Sequence, residues 1–147
     1  MLWKSKKKNV ENYVFDSYAI LAFLESEKGG EVVRDLLENT KTQFFISTVN
    51  LGEVYYIILR ERGRQTAESI ESELMQADNI CVVNATWERS KAAGELKARG
   101  GISYADCFAA ALAIENNAPL LTGDKEFRKV EDKVKIIWLG EKGIEPT

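Results

Sequence analysis

The sequence contains no histidine, only two cysteines and only two prolines among its 147 residues. Without histidine, Ser–His–Asp triads, Cys–His nucleophiles and most zinc sites are excluded. Cys81 falls in a predicted strand and Cys107 in a predicted apolar helix, and we interpret both as small buried side chains. Any enzymatic chemistry must therefore rely on carboxylates, lysines, hydroxyl groups or a hard metal ion.

Long apolar runs are also missing. No stretch approaches the roughly 18 apolar residues that are needed to cross a bilayer, and the basic start of the chain lacks the small-residue cleavage pattern of a signal peptide. We therefore expect a cytoplasmic protein without membrane contact. The net charge of −3 gives no general indication of nucleic-acid binding. Residues 1–8 contain four lysines and no acid, which fits either a solvated tail or a contact with an RNA backbone.

The composition that is present, 45% hydrophobic and 29% charged, is typical of one globular domain. Short apolar runs alternate with segments of helical periodicity, which predicts parallel strands alternating with helices. We expect an α/β fold, a three-layer α/β/α sandwich with a mostly parallel central sheet of about five strands. The predicted domain spans residues 13–140, between a basic, flexible arm (1–12) and a loose tail (141–147). The predicted strands are 13–16, 43–47, 80–83, 119–122 and 134–139.

Four acids stand at comparable places in this pattern. Asp16 ends the first strand, Glu53 lies one turn into the helix after the second, and Asp124 follows the fourth. These three are expected at the shared carboxyl edge of the sheet, and Asp106 joins them if its apolar helix begins there. Clustered acids repel one another unless cations are present. Mg²⁺ or Mn²⁺, as one or two ions, suits such oxygen ligands and supports hydrolysis of phosphodiesters.

Each acid also fits a purely structural role, because short polar and acidic side chains cap helices and turns. Only the joint placement of the acids favours a metal site over capping. The capping interpretations are Ser103 with Asp106, Asn50 with Glu53, and Asp124 before a short helix at 125–130. Asp16 followed by Ser17 fits a turn at the end of the strand, with Ser17 as the cap of the next helix.

Four segments of the chain carry these acids: 14–22 (VFDSYAILA), 47–54 (STVNLGEV), 103–113 (SYADCFAAALA) and 121–127 (LTGDKEF). In this order they resemble the motifs of the PIN-domain family, and the resemblance spans residues 13 to about 139. The compact size resembles the VapC-like toxins of type II toxin–antitoxin pairs.

This resemblance implies a Mg²⁺- or Mn²⁺-dependent endoribonuclease, which works as a homodimer and is inhibited by a small antitoxin whose C-terminal segment covers the acidic cleft. The implied catalytic and metal-binding acids are Asp16, Glu53, Asp106 and Asp124. The residues expected to support them are Ser17, Asn50 and Thr122. The basic residues that we consider for contacts with RNA phosphates are Arg60, Arg62, Arg64, Arg99, Lys125 and Arg128.

Other functions remain open at this point. A PIN-like nuclease outside a toxin pair, which processes RNA or acts on DNA, is one alternative, and a PIN-like scaffold that binds RNA or partners without cutting is another. A phosphoacceptor domain would need an acidic neighbour for Asp16 and a lysine after the fifth strand, but Lys142 falls in the tail. A phosphatase of the sugar-phosphate type would need a second aspartate where Tyr18 stands.

Overall fold

The computed structural model describes residues 10–25 and 27–140. Most of the predicted basic arm and all of the predicted tail lie outside the described residues. The first strand begins at Glu11, so regular structure starts two residues before the predicted start of the domain. Within the described ranges, none of the helices combines the length and the apolar composition that crossing a bilayer requires.

The described chain alternates strands and helices, as the periodicity predicts. The strands are β1 (Glu11–Phe15), β2 (Thr42–Ser47), β3 (Ile80–Val83), β4 (Leu120–Thr122) and β5 (Ile136–Trp138). The α-helices are α1 (Ser17–Leu24), α2 (Gly30–Glu38), α3 (Thr48–Arg62), α4 (Arg64–Gln76), α5 (Trp87–Lys97) and α6 (Tyr104–Asn116), and a 3₁₀ helix covers Lys125–Val130.

The five strands form one sheet in the order β3-β2-β1-β4-β5, and every neighbouring pair is parallel. This confirms the predicted α/β fold class. The chain first builds outward from β1 to β2 and β3, and then crosses to β4 on the other side of β1. The strand order therefore reverses between β1 and β4. In an open parallel sheet, the carboxyl ends of the strands at such a reversal frame a crevice where ligands bind.

The core lies on both faces of the sheet, because successive residues of a strand point to opposite sides. Val14 and Leu120 pack on one face with α6 and the 3₁₀ helix. Phe15 and Leu121 pack on the other face with side chains of α1 to α4. Both faces are covered at β1 and β4, which explains why these strands read as continuous apolar runs. The interpretation of Cys107 as buried is confirmed, but that of Cys81 is wrong, since this residue of β3 is exposed.

Helix α6 is buried over most of its length. Its residues from Asp106 to Ala113 are all buried, which agrees with a run of alanine, leucine and phenylalanine that has no polar face. Ser103 begins the helix, since its side chain accepts a hydrogen bond from the Asp106 backbone N–H at 3.1 Å. The polar start and the apolar body together fix one carboxylate, Asp106, at the end of a rigid element.

Candidate acidic active site

The reversal point between β1 and β4 carries two of the predicted acids. The strand register pairs Phe15 with Leu121, so Asp16 and Thr122 follow side by side. The Thr122 hydroxyl donates to Asp16 Oδ2 and accepts from the Asp124 backbone N–H at 3.0 Å. The second oxygen of Asp16, Oδ1, accepts from the Ala19 N–H at 2.8 Å and caps α1. One hydroxyl therefore fixes Asp16 relative to the loop that carries Asp124.

Asp106 joins this group from the start of α6. Oxygen atoms of Asp106, Asp124 and Glu126, one from each carboxylate, all lie within 4.8 Å of one another. Glu126 is held there because its Oε1 accepts from the Ser103 backbone N–H at 3.2 Å. Three acids from two distant parts of the sequence thus meet at one edge of the sheet.

The carboxyl of Asp16 is only 1% exposed. Burial is the main cause that raises the pKa of Asp16, to about 8, and the negative charges of Asp106 and Asp124 add to the rise. The hydrogen bonds from Thr122 and Ala19 act in the opposite direction but do not outweigh burial. Asp16 therefore retains a proton near neutral pH unless positive charge is supplied.

The pKa of Asp106 is raised to about 7 for similar reasons. Burial contributes most, and the negative charge of Asp124 follows. The Ser103 hydroxyl lowers this pKa, whereas the neighbouring Glu126 raises it further. Among the described residues, none of the ion pairs includes any of these acids. The group therefore has the electrostatics of a cation site.

Two of the predicted acids, Asp16 and Glu53, do not belong to the three-carboxylate group of Asp106, Asp124 and Glu126. Asp16 is linked to Asp124 through the Thr122 hydroxyl, but Glu53 lies on α3. Asn50 connects it to α6 instead. The Asn50 amide nitrogen donates to Glu53 Oε1 at 3.2 Å and to the Ala105 backbone oxygen at 3.1 Å. Because both hydrogen bonds start from the same nitrogen atom, Glu53 Oε1 lies close to the backbone oxygen of Ala105, the residue before Asp106.

Asn50 is completely buried, and its Oδ1 has no hydrogen-bond partner among the described residues. If the oxygen and nitrogen of the Asn50 amide exchanged places, the oxygen would face two acceptors, Glu53 Oε1 and the Ala105 oxygen. These two acceptors therefore determine the orientation of the amide. The suggestion that Asn50 caps its helix is wrong, because Ser47 is the cap of α3. The proposed caps Ser103 and Asp124 do cap α6 and the 3₁₀ helix. The expectation that Ser17 caps α1 is wrong, because Asp16 is the cap and Ser17 is the first residue of the helix.

The remaining predicted residues are those expected to support the acids and those considered for contacts with RNA. Thr122 is buried between Asp16 and Asp124, and Ser17 is a half-buried first residue of α1. Lys125 directly follows Asp124 and is exposed. The other basic candidates have partners of their own: Arg62 with Glu25 at 3.6 Å, Arg64 with Glu68 at 4.0 Å, Arg99 with Asp132 at 2.9 Å, Arg60 over the Tyr56 ring and Arg128 over the Trp138 ring.

Glu126 is the site residue that the sequence interpretation did not single out. It follows Asp124 by two positions within an exposed, charged segment, where an acid usually means a solvated surface. The Asp-Lys-Glu spacing was the only signal available in the sequence. Its hydrogen bond to Ser103, 23 residues away, exists only once α6 and the 3₁₀ helix have come together.

The fold and the site together define a class of protein. It is an all-parallel α/β domain with buried acids at the reversal of its strand order. The sequence profile described as the PIN domain matches residues 13–133. This range covers most of the chain, and the chain therefore belongs to the PIN domain family, as the sequence motifs predict. Comparison with curated protein sequences finds no match.

Solved structures with the same fold include several named as toxin–antitoxin components. A structure of Mycobacterium tuberculosis VapC20, described as a sarcin–ricin loop cleaving toxin, is 17% identical with a TM-score of 0.67, over 80% of this chain and 94% of that chain. VapBC2 from Rickettsia felis, bound to a promoter DNA fragment, is 18% identical with a TM-score of 0.65, over 87% and 98%. VapBC-1 from nontypeable Haemophilus influenzae is 21% identical with a TM-score of 0.60, over 84% and 95%.

Proposed function

We propose that this protein is a metal-dependent endoribonuclease that hydrolyses RNA phosphodiester bonds and serves as the toxin of a type II toxin–antitoxin pair. The observation that carries the proposal is the meeting of Asp16, Asp106 and Asp124 at the reversal of the strand order. Two of these acids have a pKa raised to about 8 and about 7. A fold does not ordinarily gather buried acids without a cation to balance them, so their clustering favours a functional role.

The donor set fits Mg²⁺ or Mn²⁺, in one or two copies. Carboxylate oxygens are the ligands that these hard cations prefer, and three of them already lie within 4.8 Å of one another. We propose that Asp106, Asp124 and Glu126 hold one ion, with Asp16 and Glu53 completing the acidic set. A bound divalent ion supplies positive charge, a water of lowered pKa and stabilisation of the leaving oxygen.

The chain's own residues provide the orientation. Thr122 holds Asp16 and the Asp124 backbone through one hydroxyl, and Asn50 holds Glu53 near the start of α6. Lys125, next to Asp124, is the basic residue that we place nearest to a substrate phosphate. Arg128 and Arg99 would contact RNA farther out, and Arg60 and Arg62 only if the substrate extends along α3.

The proposed partners follow from the relatives. Structures of the same fold are named as VapBC complexes and as a toxin–antitoxin complex. By this likeness we propose a small antitoxin that covers the acidic cleft, and a homodimer in the cytoplasm. A gene for a small DNA-binding protein next to this one would support the toxin role over an RNA-processing role.

The direct test is cleavage of RNA with and without Mn²⁺. Wild-type protein should cut RNA only with the metal, and Asp106→Asn should reduce the rate at least about 100-fold, the scale expected when a group that acts in the transition state is lost. Asp78→Asn is the matched control, because Asp78 is exposed just before β3, at the opposite edge of the sheet. Full activity of Asp106→Asn would contradict the proposal.

A further inference from the structure

The 3₁₀ helix Lys125–Val130 begins directly after Asp124 and has three distinct faces. Its sequence, KEFRKV, twice repeats a basic residue, a charged residue and an apolar residue. In a 3₁₀ helix, the side chains at positions i and i+3 lie directly above one another. The three-residue repeat therefore gives each face of the helix its own kind of side chain.

Two of these faces are in contact with the rest of the domain. Phe127 and Val130 form the first face and are buried in the core. Glu126 and Lys129 form the second face, against the loop before α6. Glu126 accepts a hydrogen bond from the backbone N–H of the α6 cap at 3.2 Å. Three side-chain carbons of Lys129 would lie 3.0–3.4 Å from a Cβ atom added to Gly101, so the stem of this lysine packs on the same loop.

The third face consists of Lys125 and Arg128, and both are exposed. Among the described residues, none of the ion pairs includes either of them, whereas Arg99 in the neighbouring loop is paired with Asp132 at 2.9 Å. Three residues of a 3₁₀ helix rise about 6 Å, which is close to the separation of neighbouring phosphates in an RNA strand. The face thus presents two positive charges at the spacing of one nucleotide, beginning beside the acids.

Trp138 holds the outer end of this basic face. The guanidinium carbon of Arg128 lies 5.8 Å from the centroid of the Trp138 ring, and the indole N–H donates to Glu131 Oε2 at 3.3 Å. The ring attracts the guanidinium without removing its charge. In the sheet register, Trp138 pairs with Thr122, whose hydroxyl donates to Asp16. The arginine is therefore held at the same edge of the sheet as the acids.

We propose that Lys125 and Arg128 bind two successive phosphates on one side of the scissile phosphate, so that the RNA strand leaves the acids along the 3₁₀ helix. Trp138 is the positioning residue of Arg128. The turn between α3 and α4 is less suited to this role, because Arg62 and Arg64 are in ion pairs there. This inference rests on the proposed ribonuclease function and adds the path of the substrate.

The first test measures RNA affinity by fluorescence anisotropy in the full-length Asp106→Asn protein, which suppresses cleavage. Lys125→Gln and Arg128→Gln should each weaken binding of a labelled single-stranded RNA about fivefold at roughly 0.1 M salt, the counterion-release contribution of one phosphate contact. Each should also make the slope of log K against log salt shallower by about 0.7. Lys129→Gln is the matched control, since it removes the same charge from the loop-facing side of the helix. It should bind within about twofold of the parent, because exposed charges away from the strand are screened.

The second test locates the two contacts on the RNA. Cleavage by wild-type protein first identifies the scissile bond, and single neutral methylphosphonates then replace the first or the second phosphate on either side of it. On one side, the first replacement should weaken binding by the parent but not by Lys125→Gln. The second replacement on that side should weaken binding by the parent but not by Arg128→Gln, because each pair then has no contact left to lose.

The third test concerns Trp138. Trp138→Leu should weaken RNA binding about two- to fivefold with an unchanged salt slope, since no charge is removed. In the Arg128→Gln background the same change should have no effect on affinity, which distinguishes positioning of the arginine from a general structural role. Arg128→Lys keeps the charge but lacks the planar group that stacks on the ring. It should show the same loss as Trp138→Leu and replaces that variant if the latter does not fold.

The outcomes separate this inference from the proposed function. Equal losses in Lys125→Gln, Arg128→Gln and Lys129→Gln would overturn it, because they would indicate general attraction by net charge. Methylphosphonate effects that persist undiminished in the glutamine variants would overturn it as well, while metal-dependent cleavage would still support the ribonuclease. If wild-type protein binds RNA without cutting it, the proposed function fails and the three glutamine variants still decide the role of the basic face. Protein that neither cuts nor binds RNA contradicts both.

Discussion

Asp16 shows how one residue combines a structural and a chemical role. Its Oδ1 caps α1 and its Oδ2 receives the Thr122 hydroxyl, so neither oxygen is without a partner. Two good hydrogen bonds still do not compensate for complete burial, and the pKa of the carboxyl is raised to about 8. A capping residue would have no need of such burial, since exposed aspartates cap helices equally well.

The raised pKa values predict how stability depends on pH without metal. Between about pH 4 and pH 8, the folded protein keeps protons on Asp16 and Asp106 that the unfolded chain has already released. The free energy of unfolding should therefore fall by a few kcal/mol as pH rises through this window, which lowers Tm by roughly 5–10 °C. Thermal unfolding in EDTA from pH 5 to pH 8 measures this slope.

The matched variants locate the effect. Asp16→Asn keeps a side chain that caps helices well but does not titrate, so its slope should be clearly flatter than that of the wild type. Asp78→Asn should keep the full slope. A wild-type stability that stays constant or increases from pH 5 to pH 8 would show that these acids are not buried as described.

At the scale of elements, the site depends on a short loop fitting under a ring. The loop from Thr122 to Asp124 connects β4 to the 3₁₀ helix and passes directly beneath Tyr18. The sequence motif contains Gly123, but the need for glycine at this position arises from the packing of Tyr18 of α1 against the loop after β4. The same holds for Ser103 and Glu126, whose contact joins two separate elements.

Gly123→Ala should disturb this packing. The added Cβ would meet the Tyr18 ring at 2.4 Å, and we expect a loss of about 1–3 kcal/mol of stability, measured by urea unfolding. Gly94→Ala in α5 is the control, because nothing lies within 4 Å of its added Cβ; it should gain up to about 1 kcal/mol. If Gly123→Ala costs as much in a Tyr18→Ala background as in the wild type, the ring is not the cause.

At the scale of the whole molecule, the sequence predicts the fold class but not every contact that builds the site. Alternating apolar runs and helical periods predicted the α/β class, and the parallel sheet in the order β3-β2-β1-β4-β5 confirms it. Helix and strand ends differ by a few residues: β5 covers only Ile136–Trp138, and the predicted helix at 125–130 is a 3₁₀ helix. Periodicity reports local burial, whereas the meeting of Asp106 with Glu126 depends on tertiary packing that leaves no periodic trace.

Charge on the whole chain predicts a weak salt dependence of RNA binding. Of the six basic candidates, Arg62, Arg64 and Arg99 are already in ion pairs, and we count the other three, Lys125, Arg128 and Arg60, as the phosphate contacts. For single strands this gives a slope of about −2 in log K against log salt. The measurement uses the full chain with the four lysines of residues 1–8 changed to glutamine. A slope near −5 would mean that ionic contacts dominate instead.

The central claim is that the acids at the reversal of the strand order form a site for a divalent cation, and calorimetric titration with Mn²⁺ tests it most directly. Wild-type protein should bind one or two ions with a dissociation constant below about 1 mM, in the range of weak protein sites for hard cations. Asp106→Asn should bind at least about tenfold more weakly because a central ligand is lost, and Asp78→Asn should bind like the wild type. Wild-type protein that binds no Mn²⁺ below the millimolar range, or an Asp106→Asn variant that binds as tightly as wild type, would contradict the account.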